Sequence, residues 1–392
     1  MLNKGRLNIK RWIKPLVMII SVAVIIIVGV IGKQRETGNL EDNISKHLTD
    51  QLRLKNLSEN VFQLNTSDGI ASGSHLGLSS FQGYSGPVEI AVKVSSEGQI
   101  QEIYVISQKE TPSYFKKVMG ARFNERLIGK NYKDPINLDK TIEAVSGATV
   151  TSLAITEATK KALYLISDEI LGLSIPPAQA AKVIFGLPEI SLTALYLLVL
   201  IGLTIGSKYK KVFRWISLIS GLIILGFWLS IPLSLSKINS FLLGYWPDWH
   251  SNLYWYMLIF SVFGLIIINK KKYYCQWFCP FGAAQDILGL IGGASLKIPK
   301  WLRKGFLLTQ RFLVWFAIVL AFFYRTPSKL NYEIFGTFFN LTGASILFAI
   351  TIVFVIASLF MKRPWCNFLC PINGLEDFLI NVRKLLKKQK IN

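Results

Sequence analysis

Long apolar runs along the chain predict six transmembrane helices. Each run is long enough, or nearly so, to cross a bilayer as a helix. The runs lie at Pro15–Ile31, Ile190–Ile205, Trp215–Leu235, Leu253–Ile268, Phe306–Phe323 and Leu341–Phe360. The first run ends without a small-residue cleavage site, which favours an uncleaved anchor over a signal peptide. We therefore predict an N-terminal anchor over residues 1–36 and an all-α, polytopic membrane domain over residues 188–392.

A polar region, residues 37–187, separates the first run from the others, and its pattern is α+β. A helix is predicted around Leu40–Leu57. Apolar and polar residues then alternate along a strand, and a second strand at Ile100–Ser107 returns after a turn at Glu97-Gly98. The strand carries Val88, Ile90, Val92 and Val94, and a later amphipathic helix carries Ile155, Ala158, Ala162, Leu165 and Ile166 on one face. These elements predict a compact α+β domain at about residues 80–170.

The distribution of charge gives the membrane orientation. The net charge is +21, and most basic residues precede the first run, join the second to the third and the fourth to the fifth, or follow the sixth. The alternate loops are poor in them, with Lys237 in one and Arg325 and Lys329 in the other. This positive-inside pattern predicts cytoplasmic termini and an extracytoplasmic α+β domain. It also argues against a nucleic-acid partner, since the basic tail would face anionic lipid headgroups.

The cysteines form one motif that occurs twice. Cys275 and Cys279 precede Pro280, Cys366 and Cys370 precede Pro371, and the chain has no other cysteine. On the cytoplasmic side thiols stay reduced, which favours metal binding over disulfides. A thiolate-only site suits an iron–sulfur cluster, here [4Fe–4S], or zinc, and the remaining alternative is buried thiols that act as small apolar residues.

The two cysteine motifs belong to a longer internal repeat. Asp286 and Leu288 match Asp377 and Leu379 without a gap, and each copy follows an apolar run and a short basic cluster. Because two predicted spans intervene, the copies point the same way, as in a parallel repeat about an axis along the membrane normal. Such symmetry would bring both motifs together at one face, with an amphipathic segment starting at each proline.

Ser146-Gly147-Ala148-Thr149-Val150-Thr151-Ser152 is the second candidate site. Small residues let the backbone approach an anion, and the N-terminus of the following helix supplies free N–H groups, as in a phosphate site. The alternative from composition alone is an ordinary helix cap with Thr151 or Ser152 as the N-cap residue.

Residues 83–166 resemble the FMN-binding domain of the NqrC/RnfG type. Gly83-Tyr84-Ser85-Gly86-Pro87, Glu110-Thr111-Pro112 and the Ser146–Ser152 segment match its signature in order, with Glu143 where the family usually has Asp. The resemblance implies that a flavin transferase esterifies the FMN phosphate to Thr149 outside the cytoplasm. It also implies that the surrounding motif residues bind the cofactor, namely Gly83, Tyr84, Glu110, Thr111, Ser146, Gly147, Ala148, Thr151 and Ser152.

The whole architecture resembles the short NosR/NirI-type membrane flavoproteins, including those associated with reductive dehalogenases. The resemblance implies an electron-transfer component rather than a stand-alone enzyme. Electrons from a quinol or a cytoplasmic donor would pass the centre of Cys275, Cys279, Cys366 and Cys370, then FMN on Thr149, then an exported redox enzyme. Longer relatives add a ferredoxin module that is not expected after Asn392.

The sequence leaves two alternative functions open and does not identify the carrier between the two predicted redox centres. The chain could be a redox sensor or accessory factor for a partner reductase, or a subunit of an ion-pumping complex. A bilayer core of about 30 Å separates the two predicted centres, and His250 is the only histidine of the membrane half. A quinone or an additional flavin is therefore the expected intermediate. Its candidate contacts are Trp246, Trp249, Trp255 and Tyr256, for which an interfacial aromatic belt is the alternative.

Overall fold

A computed structural model describes residues 2–37, 52–58, 60–66, 71–173, 183, 185–250, 252–269 and 272–389. Its β-rich part is one antiparallel sheet in which neighbouring strands follow one another along the chain. The strands are β1 (Leu52–Ser58), β2 (Val61–Thr66), β3 (Ala71–Gln82), β4 (Pro87–Ser95) and β5 (Ile100–Gln108). Antiparallel neighbours need only short connections, which is why the sheet forms as a simple meander.

The predicted hairpin forms one end of this sheet, with β5 as the edge strand. β4 pairs with β5 through Val92 and Ile103, and all four alternating valine and isoleucine positions of β4 are fully buried. The helix Thr149–Glu169 packs across β3 and β4. Leu163 completes its buried face, whereas Leu165 is half-buried. The described residues of this part also form the helix Pro112–Gly120 and a short 3₁₀ turn, Phe123–Arg126.

The prediction of a helix around Leu40–Leu57 is wrong over its described end, because residues 52–58 form β1. The rest of that segment lies outside the described residues. The spacing of the leucines in this segment is compatible with a helix face and with a strand. These leucines are Leu52, Leu54 and Leu57. Pairing with β2 decides for the strand, since Leu54 lies opposite Leu64, which is fully buried.

The helical part follows the apolar runs. Its helices are Leu2–Thr37, Leu187–Thr204, Ser207–Gly221 continued by the π-helix Leu222–Trp228, Leu235–Leu243, Leu253–Asn269, the π-helical turn Tyr274–Phe278, Pro280–Ile291, Lys300–Tyr324, Phe335–Asn340, Ser345–Phe360, Pro364–Phe368 and Pro371–Gln389.

Two of the apolar runs predicted to be helices are longer than the helices that form. The third ends as a helix at Trp228, before Ser230 with φ of +51°, and the sixth begins at Ser345, after Leu341 with φ of +50°. Left-handed backbone ends helices.

Among the described residues, four helices are long and apolar enough to cross a membrane. They are Pro15–Glu36, Leu187–Thr204, Lys208–Trp228 and Lys300–Tyr324, and two shorter apolar helices cover Leu253–Gly264 and Ser345–Phe360. These helices fit a membrane domain, while the count of six spans stays a prediction. The first helix lies along Lys300–Tyr324, where Trp315 Nε1 donates to the carbonyl of Ser21 at 3.2 Å.

Glu36 ties three parts of the chain together at the end of the first helix. Its carboxylate contacts Lys109 of the β-rich part at 3.4 Å and Arg325 at 3.0 Å. The sheet is therefore held against the end of the Lys300–Tyr324 helix.

Candidate functional site

Both cysteine motifs have the local structure predicted from their prolines. Cys275 lies in the π-helical turn Tyr274–Phe278 and Cys366 in the short helix Pro364–Phe368, while the second cysteine of each pair directly precedes a new helix. Those helices begin at Pro280 and Pro371. The residue before a proline avoids helical geometry and proline suits the first helical position, so each motif bends the chain at its second cysteine. All four thiols are buried.

Reciprocal ion pairs join the two copies. Asp286 accepts hydrogen bonds from Arg363 at 2.7 and 2.6 Å, and Asp377 contacts Lys272 Nζ at 2.9 Å. Lys272 and Arg363 each stand three residues before the first cysteine of their copy, and the two aspartates each stand seven residues after the second. The aspartate of each copy thus forms an ion pair with the basic side chain of the other copy. This exchange supports the predicted repeat and places the two motifs side by side.

The Asp286 carboxylate receives a second cation from outside the repeat. Arg214, in the helix Ser207–Gly221, donates to Asp286 at 2.8 Å. Burial alone would raise the pKa of Asp286, but the two guanidinium groups of Arg363 and Arg214 hold it below its usual value. Arg363 also donates to the carbonyl of Cys275. One arginine therefore connects the ion pair directly to the backbone of a cysteine motif.

Buried amides fix the backbone of the second motif. Gln310 Nε2 donates to the carbonyls of Cys366 at 3.2 Å and Cys370 at 2.7 Å, and Asn373 Nδ2 donates to Cys366 at 2.8 Å. Gln310 is fully buried in the middle of the helix Lys300–Tyr324. Sequence reasoning missed it, although a polar side chain inside an apolar run is a signal of function or packing.

The donor set suits an iron–sulfur cluster. The Cys370 thiol lies close enough to the thiols of Cys275, Cys279 and Cys366 to interact with them electrostatically. Across the described ranges, no three His, Cys, Asp or Glu side chains are already arranged as metal ligands. The thiols would therefore have to turn toward a common point. Four buried thiolates are the ligands that a [4Fe–4S] cluster takes.

The Ser146–Ser152 segment exposes the hydroxyl predicted to carry the flavin. Thr149 is the first residue of the helix Thr149–Glu169 and is exposed, as are Ser146 and Gly147. Gly147 has φ of +70°, and a Cβ built there would lie 2.9 Å from Lys117 Nζ. A helix N-terminus, an open backbone and an ammonium group thus meet at one place, which fits a phosphate. Sequence reasoning missed Lys117, because its approach to Gly147 is a tertiary contact.

The alternative helix-cap hypothesis for this segment is wrong. Ala148 holds the N-cap position, and Thr151 and Ser152 lie inside the first turn, both buried. Ser152 Oγ accepts from Val145 N at 3.2 Å and donates to the carbonyl of Ala148 at 3.2 Å, so it braces the loop from within. Ala148 is also buried.

The remaining predicted cofactor residues form a buried loop clamp. The Glu110 carboxylate accepts from the backbone N–H groups of Tyr84 at 2.6 Å, Ser85 at 3.3 Å and Thr111 at 3.2 Å. Burial raises the pKa of Glu110 to about 7, while the three N–H donors act in the opposite direction. A Cβ at Gly83 would overlap this carboxylate, so the position requires glycine. In this structure Gly83, Tyr84, Glu110 and Thr111 shape the loop.

This clamp contacts the helical part directly. Ser240 Oγ donates to the carbonyl of Ser85, Ser328 Oγ donates to the carbonyl of Glu110 at 3.0 Å, and Asn340 Nδ2 donates to Tyr114 Oη at 3.2 Å. A cavity of about 200 Å³ lies at the contact, lined by groups that include Tyr84, Tyr114, Ser234, Glu333 and Thr337. The Gly83–Pro87 and Glu110–Pro112 segments therefore face the helices, whereas Ser146, Gly147 and Thr149 are exposed.

A buried lysine lies beside this cavity. Lys237 Nζ donates to the carbonyl of Pro232 at 3.2 Å and lies 5.3 Å from the centre of the Tyr84 ring. Burial lowers the pKa of Lys237 and raises that of Glu333, whose carboxylate accepts from Leu235 N at 2.7 Å. An amine and a carboxyl group therefore lie at the junction of the two parts.

The aromatic residues predicted to contact an intermediate carrier do not line this cavity. Trp246 and Trp249 are more than half exposed, as in an interfacial belt, and Trp255 is buried in the helical core. Tyr256 Oη donates to the carbonyl of Pro247 at 2.6 Å. Their contact with a quinone or flavin stays a prediction.

Two protein families match the two parts of the chain. The FMN-binding domain family matches residues 83–164, and the 4Fe-4S binding domain family matches residues 251–299 and 342–389. Each of the latter segments contains one complete cysteine motif. The matches assign a flavin to the α+β part and a cluster to the cysteine repeat.

The chain is also similar to curated proteins, of which three are described here. The chain is 28% identical to the putative electron transport protein YccM of Escherichia coli over 162 residues, 38% of this chain and 44% of that protein. It is 28% identical over 110 residues to one component of the Na⁺-translocating ferredoxin:NAD⁺ oxidoreductase complex of Acetobacterium woodii, 26% of this chain and 53% of that protein. It is 27% identical to NirI of Paracoccus denitrificans over 129 residues, 30% of this chain and 18% of that protein.

The chain spans about half the length of the first two relatives and less of the third. The family matches and these relatives support the class predicted from the motifs, a NosR/NirI-type flavin and iron–sulfur electron transport protein. Its apolar helices fit a membrane protein.

Proposed function

We propose that the chain carries electrons across the membrane. Electrons from a quinol or a cytoplasmic donor enter a cluster ligated by Cys275, Cys279, Cys366 and Cys370. They then pass to FMN on Thr149 and to an exported redox enzyme. The observation that carries the proposal is the reciprocal pairing of the two cysteine copies, because one cluster needs thiolates from both.

The flavin end of the proposal is supported by the exposure of Thr149. A flavin transferase needs access to the threonine hydroxyl, and Thr149 is exposed where Thr151 is fully buried. Lys117 lies beside Gly147 and supplies the counter-charge for a phosphate ester. The FMN itself supplies the electron acceptor, while the protein binds and orients it.

The membrane orientation of the proposal comes from the basic residues. The positive-inside rule puts the cysteine centre on the cytoplasmic side and the α+β domain outside. Tyr84, Ser85 and Glu110 contact the helical part. In the proposed orientation this contact would lie at the outer ends of the helices. A quinone or an additional flavin remains the proposed carrier between the two centres.

The function is tested by following both cofactors in one anaerobic experiment. Purified wild type is mixed with a reduced quinol, and the FMN and cluster absorbances are recorded separately. Wild type should reduce the cluster before the FMN, whereas Cys366→Ser should keep its FMN but fail to reduce it. Equal FMN reduction by both proteins would refute the route through the cysteine centre and favour a sensor or accessory role.

A further inference from the structure

One cavity lies between the two parts of the chain to which the proposed function assigns the cofactors. It has a volume of about 200 Å³ and is lined on the α+β side by Tyr84, Thr111 and Tyr114. On the helical side its lining comes from residues 230–236 and 328–347. The proposed route requires a carrier between the cysteine centre and the FMN, and this cavity lies between the two parts that hold those centres.

The helical wall of the cavity reaches the first cysteine motif. Phe335 lines the cavity, and its ring centre lies 5.8 Å from that of Phe281, in the helix that begins directly after the motif. Tyr274 Oη, in the π-helical turn of the motif, accepts from Leu233 N at 2.9 Å, and both chain neighbours of Leu233 line the cavity. One layer of side chains therefore separates the cavity from the first cysteine motif.

Two hydroxyl groups of the lining are available to a ligand. Tyr114 Oη accepts from Asn340 Nδ2 at 3.2 Å, and its own proton has no acceptor among the described residues. Thr337 Oγ1 is buried and has no hydrogen-bond partner within the part of the chain that the structure describes. Leaving a buried hydroxyl unpaired costs free energy. Both groups can therefore donate to a carbonyl oxygen of a bound molecule.

The cavity opens next to an apolar surface. Ala344 and Leu347 line it at the beginning of the helix Ser345–Phe360, and Ala344 is exposed. Close to them in the chain, Leu341 and Ile346 are 78% and 68% exposed. The helix is one of the shorter apolar helices that fit the membrane domain, so these side chains would face lipid. A molecule with an apolar tail can therefore keep the tail in the bilayer while its head group occupies the cavity.

We infer that the cavity binds the ring of a lipid-soluble quinone, the carrier between the two centres. This inference rests on the proposed function and deepens it by giving the carrier a site. The hydroxyls of Tyr114 and Thr337 suit the carbonyl oxygens of the quinone, the Phe335 ring forms an apolar wall, and the opening at Leu347 leads the tail into lipid. The quinone takes up two electrons from the cysteine-ligated centre, one at a time, and two protons from water. The resulting quinol passes both electrons and both protons to FMN, which becomes FMNH₂, and the quinone re-forms.

An additional flavin suits the cavity less well. A flavin nucleotide has a phosphate group, which needs a cation or free N–H donors. The lining contains the Glu333 carboxyl group, and Lys329, the only cation among its described residues, has Nζ 4.3 Å from the centre of the Tyr324 ring. The apolar opening supplies no further counter-charge. A neutral quinone needs none.

Photolabelling tests the site. Full-length protein is purified in detergent and illuminated with azido derivatives of a short-chain benzoquinone and a short-chain naphthoquinone, with and without an excess of the same quinone lacking the azide. Labelled peptides are identified by mass spectrometry, and iron and FMN contents are measured on the same preparations. In wild type at least one of the two quinones should label peptides from residues 84–114, 230–236 or 328–347, and the competitor should remove that label.

Two matched pairs of variants locate the ligand. Leu347→Trp fills the opening and should abolish the competed label, whereas Ile346→Trp adds the same bulk at the exposed neighbouring position and should keep it. Thr337→Val removes one hydroxyl donor and should weaken the competing quinone roughly twofold to tenfold, the effect of one lost hydrogen bond. Thr351→Val should leave the competition unchanged, because the Thr351 hydroxyl donates to the Leu347 carbonyl at 2.6 Å and does not line the cavity.

The outcomes separate this inference from the proposed function. Label that the competitor does not remove, or that both Leu347→Trp and Thr337→Val leave unchanged at normal iron and FMN content, would overturn the quinone site. A non-covalent flavin that denaturation releases from wild type but not from Leu347→Trp would also overturn it, because the cavity would then hold a second flavin. Labelling measures binding alone, so a competed label in protein that does not reduce its FMN through the cysteines would refute the proposed function and leave the quinone site in place.

Discussion

Replacing Asp286 by alanine should destabilise the helical part, because it leaves two guanidinium groups without their shared counter-charge. The Asp286 and Arg363 side chains are only 18% and 16% exposed. Removing one partner of a buried pair costs roughly 3–5 kcal/mol. Arg214 is 34% exposed and can turn to solvent, so we expect the lower end of that range, about 3 kcal/mol.

Thermal unfolding in detergent, followed by tryptophan fluorescence, measures this effect. For a unit of roughly 200 residues, a loss of about 3 kcal/mol lowers Tm by about 6–12 °C. Asp377→Ala removes the reciprocal pair and is the matched control. It should cost about 1–2 kcal/mol, because Lys272 and Asp377 are more exposed and share one contact.

An exposed ion pair serves as the control in which the loss of stability should be small. Arg122 and Glu125 lie 3.9 Å apart with both side chains more than half exposed, so Glu125→Ala should cost about 0–1 kcal/mol. If Asp286→Ala lowered Tm no more than Glu125→Ala does, the crossed ion pairs would not hold the two copies together, and the reasoning for a shared site would fail.

Two further predictions concern the flavin and the topology. Protein co-expressed with a flavin transferase should keep flavin fluorescence after denaturation and washing, Thr149→Val should lose it, and fluorescence lost instead in Thr151→Val would move the attachment site. Reporter fusions after Ser80 and Lys329 should be active only outside the cytoplasm and one after Lys388 only inside, and an outward C-terminus would relocate the cysteines.

The sequence correctly predicted those elements whose structure depends mainly on residues that are close together in the chain. The prediction of the hairpin was correct because Val88, Ile90, Val92 and Val94 alternate with other residues, as in a strand with a buried face. The helix starts at Pro280 and Pro371 were correct because proline restricts the residue before it and favours the first helical position.

Non-local contacts were beyond the sequence patterns. β1 was mistaken for a helix because its pairing with β2, not its own periodicity, decides its structure. The partner of Asp286 is the Arg363 side chain of the other copy, and Gln310 reaches the second motif from a separate helix. The repeated cysteine motif could be recognised from the sequence, but the ion pairs between its two copies required the packed structure.

The central claim is that the four cysteines form one site, and metal analysis of single variants tests it most directly. Iron and sulfide per FMN are measured in anaerobic wild type and in Cys275→Ser, Cys279→Ser, Cys366→Ser and Cys370→Ser. Because each copy supplies two thiolates and a cluster needs about four ligands, every variant should lose nearly all iron and sulfide. Retention of about half the iron in each variant, or zinc without iron in wild type, would contradict a shared iron–sulfur centre.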